Sequence, residues 1–116
     1  MSIPYINTYH FGQIVIDKQT YTRDVIVLPT GVIPNWWRKN GHSLHVDDLQ
    51  AAFAAAPQVL IIGQGADSRM HIPAETRQAI KDADIELIAL ATQEACQRYN
   101  ELREKCPTVA ALHLTC

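Results

Sequence analysis

The chain has 116 residues, of which 47% are hydrophobic and 19% are charged, and its 10 basic and 12 acidic residues give a formal net charge of −2. This composition predicts one globular domain of ordinary size with enough apolar side chains for a core. The balanced charge argues against a protein that binds nucleic acid or an anionic membrane surface. Every apolar run is shorter than the ~20 residues that a membrane helix requires, so we expect no membrane insertion.

The first third of the chain, residues 5–37, is predicted to be rich in β-strands. Runs of β-branched residues at 14–16 and 24–28 are bounded by turn-forming residues. Residues 32–37 resume an extended pattern, but Pro34 has no N–H for a central strand ladder. We therefore expect an edge strand or a bulge at that point.

The rest of the chain alternates between helical and strand patterns. Apolar residues recur at helical spacing from Asp47 to Ala56, and Pro57 ends that helix. Apolar strands are then expected at 58–62, 85–90 and 108–114, with intervening helices that open at Pro73 and at a Thr92 N-cap; the second of these runs to Pro107. This order predicts a β-α-β-α-β arrangement with parallel strands, packed against the N-terminal strands.

Fragments spread over nearly the whole chain form a recognisable set: Asp24-Val25…Pro29-x-Gly31-Val32, Trp37-Arg38…Gly41-His42-x-Leu44…Asp48-Leu49, Pro57-x-Val59-Leu60-Ile61-Ile62-Gly63-x-Gly65, Ala91-Thr92-x-x-Ala95-x-x-x-Tyr99-Asn100-x-Leu102, and Val109-Ala110-Ala111-Leu112-His113-Leu114. Together they resemble the small domain of unknown function known as the Mth-nine-three-eight-type domain. Its eukaryotic relatives include the adipogenesis-associated protein and mitochondrial complex I assembly factor three.

The resemblance implies a single three-layer α/β domain over residues 1–116. It would have a mixed central sheet, a β-α-β-α-β second half and an N-terminal β-rich addition. The resemblance implies no established enzyme activity. Two stretches depart from the family pattern: Asp17-Lys18-Gln19-Thr20, where relatives often have a glycine turn, and Glu104-Lys105-Cys106-Pro107-Thr108, where relatives commonly carry a basic link that contains glycine.

The first candidate site is a crevice at the carboxyl ends of the parallel strands, where such folds usually bind ligands. Its candidate residues are Gly63, Gln64, Gly65, Thr92 and Asn100. Glycines allow backbone N–H groups to approach a small molecule or an oxyanion closely. The loop lacks the third glycine of a dinucleotide fingerprint and a P-loop lysine, so we expect no cofactor. A tight turn that requires glycine is the competing explanation.

The second candidate site is the segment Trp36-Trp37-Arg38. Adjacent residues on an extended segment point to opposite faces, so one tryptophan can enter the core while the other is exposed. Tryptophan and arginine are enriched at the hot spots of protein interfaces. This segment is therefore the candidate protein-interaction site, and a structural role for both tryptophans is the alternative.

Other reactive residue types form no convincing set. His42 and His45 lack a second ligand cluster, so no metal site is predicted. His113 is a candidate general base by residue type alone, and Cys96 is a candidate reactive thiol because it lies near the start of a helix. No catalytic residues are assigned.

These observations predict a cytoplasmic, non-enzymatic protein of the protein-binding or assembly type. Its expected partner is another protein, and the chain itself is expected to be a monomer or a weak homodimer. The alternative is a small-molecule-binding or oxyanion-binding protein, or an enzyme, that uses the crevice at the strand ends.

Overall fold

A five-stranded mixed sheet forms the centre of the molecule in a computed structural model that describes residues 2–116. In spatial order its strands are β5 (Gly31–Ile33), β4 (Val25–Leu28), β8 (Thr108–His113), β6 (Val59–Gln64) and β7 (Glu86–Leu90). Strands β7, β6 and β8 are parallel to one another, β4 is antiparallel to β8, and β5 is antiparallel to β4. The two inner parallel strands, β6 and β8, are covered on both faces, which explains their continuous apolar sequences.

Helices and a second sheet cover the two faces of the central sheet. One face packs on α1 (Gln50–Ala54), which follows a 3₁₀ turn at Val46–Leu49, and on α2 (Ala74–Asp82). The other face packs on α3 (Thr92–Leu102) and on an antiparallel sheet of β1 (Ile6–His10), β2 (Gln13–Ile16) and β3 (Gln19–Tyr21). The predicted mixed α/β fold with a β-rich N-terminal addition is confirmed.

The hairpin between β2 and β3 turns tightly without glycine. Asp17 and Lys18 have φ angles of 48° and 68°, both in the left-handed region. Ile16 pairs with Gln19 across this two-residue turn, and such turns follow the right-handed twist of the strands best when both central residues are left-handed. The Asn7 side chain accepts a hydrogen bond of 2.8 Å from the Lys18 backbone N–H. This bond helps to support the turn in the stretch that departs from the family pattern.

Several predicted boundaries are wrong. The predicted helix from Asp47 to Ala56 is a 3₁₀ turn followed by a short α-helix that ends at Ala54. Thr92 is the first residue of α3 rather than its N-cap, which is Ala91, because the Thr92 hydroxyl is engaged elsewhere. That helix ends at Leu102 and does not continue to Pro107. None of the helices within residues 2–116 is long and apolar enough to cross a membrane.

Candidate functional site

In the segment Trp36-Trp37-Arg38, the first and third side chains are buried and the second is exposed to solvent. Trp36 and Arg38 are each 8% exposed, whereas Trp37 between them is 75% exposed. The segment follows β5, which ends at Ile33, and Pro34 has no N–H with which to continue the sheet ladder. The alternation of faces along this stretch explains why neighbouring tryptophans have opposite environments.

Trp36 is held by hydrogen bonds at both its backbone and its ring. Its backbone N–H donates to the Asp24 carbonyl oxygen at 2.8 Å, and its indole Nε1–H donates to the Asp48 carbonyl oxygen at 2.9 Å. The ring lies in the core between the sheet and the helices α1 and α2. A buried indole needs such a partner for its N–H, so this position is well defined.

Arg38 is held in a buried cluster with Asp24 and His113. Its Nη1 donates to Asp24 Oδ2 in an ion pair, and its Nη2 lies 3.1 Å from His113 Nδ1. His113 Nδ1 is also 2.8 Å from Asp24 Oδ2. The Arg38 guanidinium stacks over the Trp36 ring at 4.9 Å from its centroid. Both neighbours of Trp37 are therefore anchored to the core and to each other.

Asp24 is charged at neutral pH in this cluster. Burial by itself raises the pKa of the carboxyl group, but hydrogen bonds from His113 and from the Leu114 backbone N–H lower it, as does Arg38. The net result is a pKa below the ordinary value. The carboxylate balances the buried Arg38 guanidinium, and removal of either group would leave the other charge buried without its partner.

A pocket of about 510 Å³ opens in front of this cluster. Its lining residues are Arg23, Asp24, Asn35, Trp36 and Trp37. Asp24 is not among the candidate site residues predicted from the sequence. Its partner His113 is 89 residues away, so sequence spacing contains no sign of the pair.

At the carboxyl ends of the parallel strands, the glycine loop is packed against other parts of the same chain. A Cβ atom on Gly63 would lie 2.9 Å from both Thr92 Oγ1 and Leu112 Cδ2. Gly65 has φ +101°, and a Cβ atom there would lie 2.2 Å from the Cys116 carbonyl carbon. Thr92 Oγ1 accepts a hydrogen bond from the Gly65 N–H at 2.9 Å and donates to the His113 carbonyl oxygen at 2.6 Å. Close packing therefore accounts for both glycines.

The other two residues of the predicted crevice make separate contacts. The Gln64 side chain donates to the Met70 carbonyl oxygen at 3.0 Å. Asn100 holds β1 against α3, since its Oδ1 accepts from the Ile6 N–H at 3.0 Å and its Nδ2 donates to the Ile6 carbonyl oxygen at 2.8 Å. The structure thus brings Gly63, Gly65 and Thr92 together but places Asn100 at a different contact. A ligand at the strand ends stays a prediction.

The remaining reactive groups are largely engaged in structure. Cys96 is 4% exposed, and burial raises the pKa of its thiol to about 12, so it is not a thiolate at neutral pH. His113 has Asp24 and Arg38 at Nδ1, and its Nε2 lies 3.5 Å from Thr115 Oγ1. Within residues 2–116, no three or more His, Cys, Asp or Glu side chains are grouped so as to hold a metal ion.

This fold defines a class of small mixed α/β domains of the Mth938 type. The family model described as "Protein of unknown function (DUF498/DUF598)" matches residues 6–114, and the chain belongs to that family.

Solved structures of other proteins have the same fold. The chain is similar to MT938, with 25% identity, a TM-score of 0.80 and coverage of 97% of this chain and 99% of that chain. It is similar to a Mth938-like domain from Bordetella pertussis, with 21% identity, a TM-score of 0.76 and coverage of 95% and 85% respectively. An outer membrane protein from Bartonella henselae is 20% identical, with a TM-score of 0.84 and coverage of 98% and 97%.

Proposed function

We propose that this protein is a non-enzymatic, protein-binding factor of the assembly type that uses the Trp36–Arg38 segment as its contact surface. The observation that carries the proposal is the 75% exposure of Trp37 between two residues that are each 8% exposed. The fold does not use the Trp37 ring as a core residue. A partner protein would bury it.

The anchoring of this segment favours binding because the segment would lose little conformational entropy when a partner binds. Trp36 and Arg38 hold the backbone on both sides of Trp37 through buried hydrogen bonds and an ion pair. Ordering flexible groups costs roughly 0.5–1.5 kcal/mol per side chain at an interface, and a rigid segment avoids part of that cost. Tryptophan also has only two side-chain torsions to restrict and offers a large apolar area.

The assembly role and the location are also proposals. Resemblance to a mitochondrial complex I assembly factor supports a role in bringing proteins together. The balanced charge is compatible with the cytoplasmic location that we propose, and the membrane description of the Bartonella henselae protein is a statement about that protein alone. The chain would act as a monomer or a weak homodimer with another protein as its partner.

Affinity capture from cells that express the tagged chain tests this proposal. Trp37→Ala should remove at least one specific protein from the captured set while the melting temperature stays unchanged. Phe11→Ala is the matched control, because Phe11 is 65% exposed and lies in the turn between β1 and β2. A captured set that is identical for the wild type and Trp37→Ala would contradict the proposal.

A second candidate function is binding of an oxyanion or small molecule at the strand ends, and one observation favours it. The backbone N–H groups of Ala66 and Arg69 donate to the carbonyl oxygens of Thr115 and Cys116 at 2.6 and 3.1 Å. An oxyanion offers the same acceptor chemistry, so it would have to displace residues 115–116. Inorganic phosphate should then raise the melting temperature of a chain shortened to Leu114 more than that of the full chain. Equal melting shifts would argue against this function.

A further inference from the structure

Among the described residues that line the pocket in front of Trp37, at least two side chains are donors without a protein partner and the one carboxylate is already engaged. Asp24 Oδ1 accepts a hydrogen bond of 2.8 Å from the Leu114 N–H. Asp24 Oδ2 forms an ion pair with Arg38 and a hydrogen bond with His113. In contrast, the side chains of Arg23 and Trp37, which also line the pocket, form no hydrogen bond or ion pair with any residue of the described segment 2–116. Among the described lining residues, no negatively charged acceptor is therefore free to pair with Arg23 or with the Trp37 N–H.

A further donor without a partner lies next to the pocket. Arg38 is 92% buried, and its Nε has no hydrogen-bond partner within the part of the chain that the structure describes. Its guanidinium group stacks on the ring of Trp36, which itself lines the pocket. Arg38 balances Asp24, so the exposed Arg23 is the unpaired charge among the lining residues of the described segment 2–116.

From these observations we infer that the pocket receives a carboxylate side chain of the partner protein, with an adjacent apolar side chain packed on the Trp37 ring. The inference rests on the proposed function, because it specifies the chemistry of the segment that the partner presents. A guanidinium group binds a carboxylate through paired hydrogen bonds, and an indole ring offers an apolar face together with one N–H donor. A segment with Asp or Glu beside a large apolar residue matches both groups.

The size and position of the pocket agree with this occupant. Its volume of about 510 Å³ lies within the range of ≈ 300–1,000 Å³ that is usual for binding pockets, which is enough for two side chains. Arg23 is exposed, so its attraction for a carboxylate is screened by salt and adds to rate and specificity more than to affinity. The apolar contact with Trp37 supplies the larger share of the binding.

Selection from a display library of random heptapeptides on the immobilised full chain tests the inference. The wild type should enrich peptides with Asp or Glu next to a large apolar residue. Arg23→Glu replaces attraction by repulsion, so it should slow the association of acidic peptides and weaken their binding about threefold to tenfold; added salt should weaken their binding to the wild type. Trp37→Ala should abolish their binding. Arg98→Glu is the matched control, since it changes the charge equally on α3, which packs on the opposite face of the sheet from Trp36.

The outcomes separate this inference from the proposed function. Peptides that require Trp37 but have no acidic residue, or that bind Arg23→Glu as well as the wild type, would overturn the inference and leave the proposed function in place. Absence of any peptide that requires Trp37 would count against both. Acidic peptides that lose binding equally in Arg23→Glu and Arg98→Glu would reflect net charge alone and would also overturn the inference.

Discussion

The two candidate sites differ in what covers them. The glycine loop at the strand ends is filled by the chain itself, because Thr115 and Cys116 lie against Gly65 and Thr92 spans the gap to β8. The Trp36–Arg38 segment is supported from behind by buried contacts, yet its central side chain faces outward. Close packing explains the glycine-rich loop after a buried strand, whereas the exposed tryptophan between two anchored residues has no such explanation in this fold.

The largest effect is expected from Gly65→Ala, which tests whether the strand-end loop is filled. The added Cβ atom would clash with the Cys116 backbone at a residue with φ +101°. Strain of this kind, together with the clash, should lower the free energy of unfolding by roughly 4 kcal/mol, as measured by urea denaturation.

Gly41→Ala provides the control, because nothing lies within 4 Å of the added methyl group there. It should change the free energy of unfolding by less than about 0.5 kcal/mol. Equal stability of Gly65→Ala and Gly41→Ala would mean that the strand-end loop is open and that the contrast between the two sites is wrong.

Alanine substitutions of the two tryptophans should have very different effects on the stability of the fold. Trp36→Ala removes a buried ring and its hydrogen bond to Asp48, so it should cost about 3–4 kcal/mol of stability. Trp37→Ala should change stability by less than about 0.5 kcal/mol, because its ring is 75% exposed. Thermal and urea unfolding of both variants checks this, and a large destabilisation by Trp37→Ala would assign that ring to the fold.

Asp24→Asn tests the support behind the tryptophan segment. It leaves the buried Arg38 without its carboxylate and should cost about 2–3 kcal/mol at pH 7, with a loosened segment as the result. The pKa of Asp24 is lower in the folded than in the unfolded state, so its contribution is fully present above about pH 4 and is lost as the pH falls through the folded-state pKa.

Urea unfolding from pH 7 to pH 2 therefore provides the measurement. The difference between the wild type and Asp24→Asn should shrink as the solution becomes acidic, because the protonated carboxyl group resembles the amide. A difference that is constant over this range would show that the ion pair does not contribute in the way described.

The smallest effect concerns Cys96, which begins the second turn of α3 beside the strand ends. Because burial raises the pKa of its thiol to about 12, iodoacetamide at pH 7.5 should leave Cys96 unmodified in the folded chain. Cys106 and Cys116, which are partly exposed, should react first. Peptide mass spectrometry measures modification at all three cysteines. Rapid modification of Cys96 would indicate that α3 separates from the core in solution.

The elements with strong apolar patterns could be predicted from the sequence, and those that depend on distant contacts could not. The strands β6, β7 and β8 are predictable because each is an apolar run next to a helical pattern. The strands β1 and β3 escaped individual prediction because Ile6–His10 and Gln19–Tyr21 are short and largely polar. The position of β1 depends on contacts such as the Asn100 bonds to Ile6, which join residues 94 positions apart.

The same limit applies to the sites. Opposite faces for Trp36 and Trp37 follow from an extended backbone, but the choice of which ring is buried depends on the Asp48 carbonyl oxygen. The Asp24–Arg38–His113 cluster and the contact of Gly65 with Cys116 are formed by residues far apart in the chain. Contacts between such distant residues leave no local pattern in the sequence. The sequence therefore predicts candidate residues but not the residues that they contact.

Photo-crosslinking in living cells shows whether another protein contacts the surface around Trp37. A benzoylphenylalanine placed at position 37 would lie on the proposed contact surface, and the same residue at position 94 would lie on the exposed side of α3. We expect a discrete covalent adduct with a partner protein from position 37 and none from position 94. Adducts that are equal at both positions, or absent from position 37 in a folded and expressed chain, would contradict the claim that Trp37 marks a protein-binding surface.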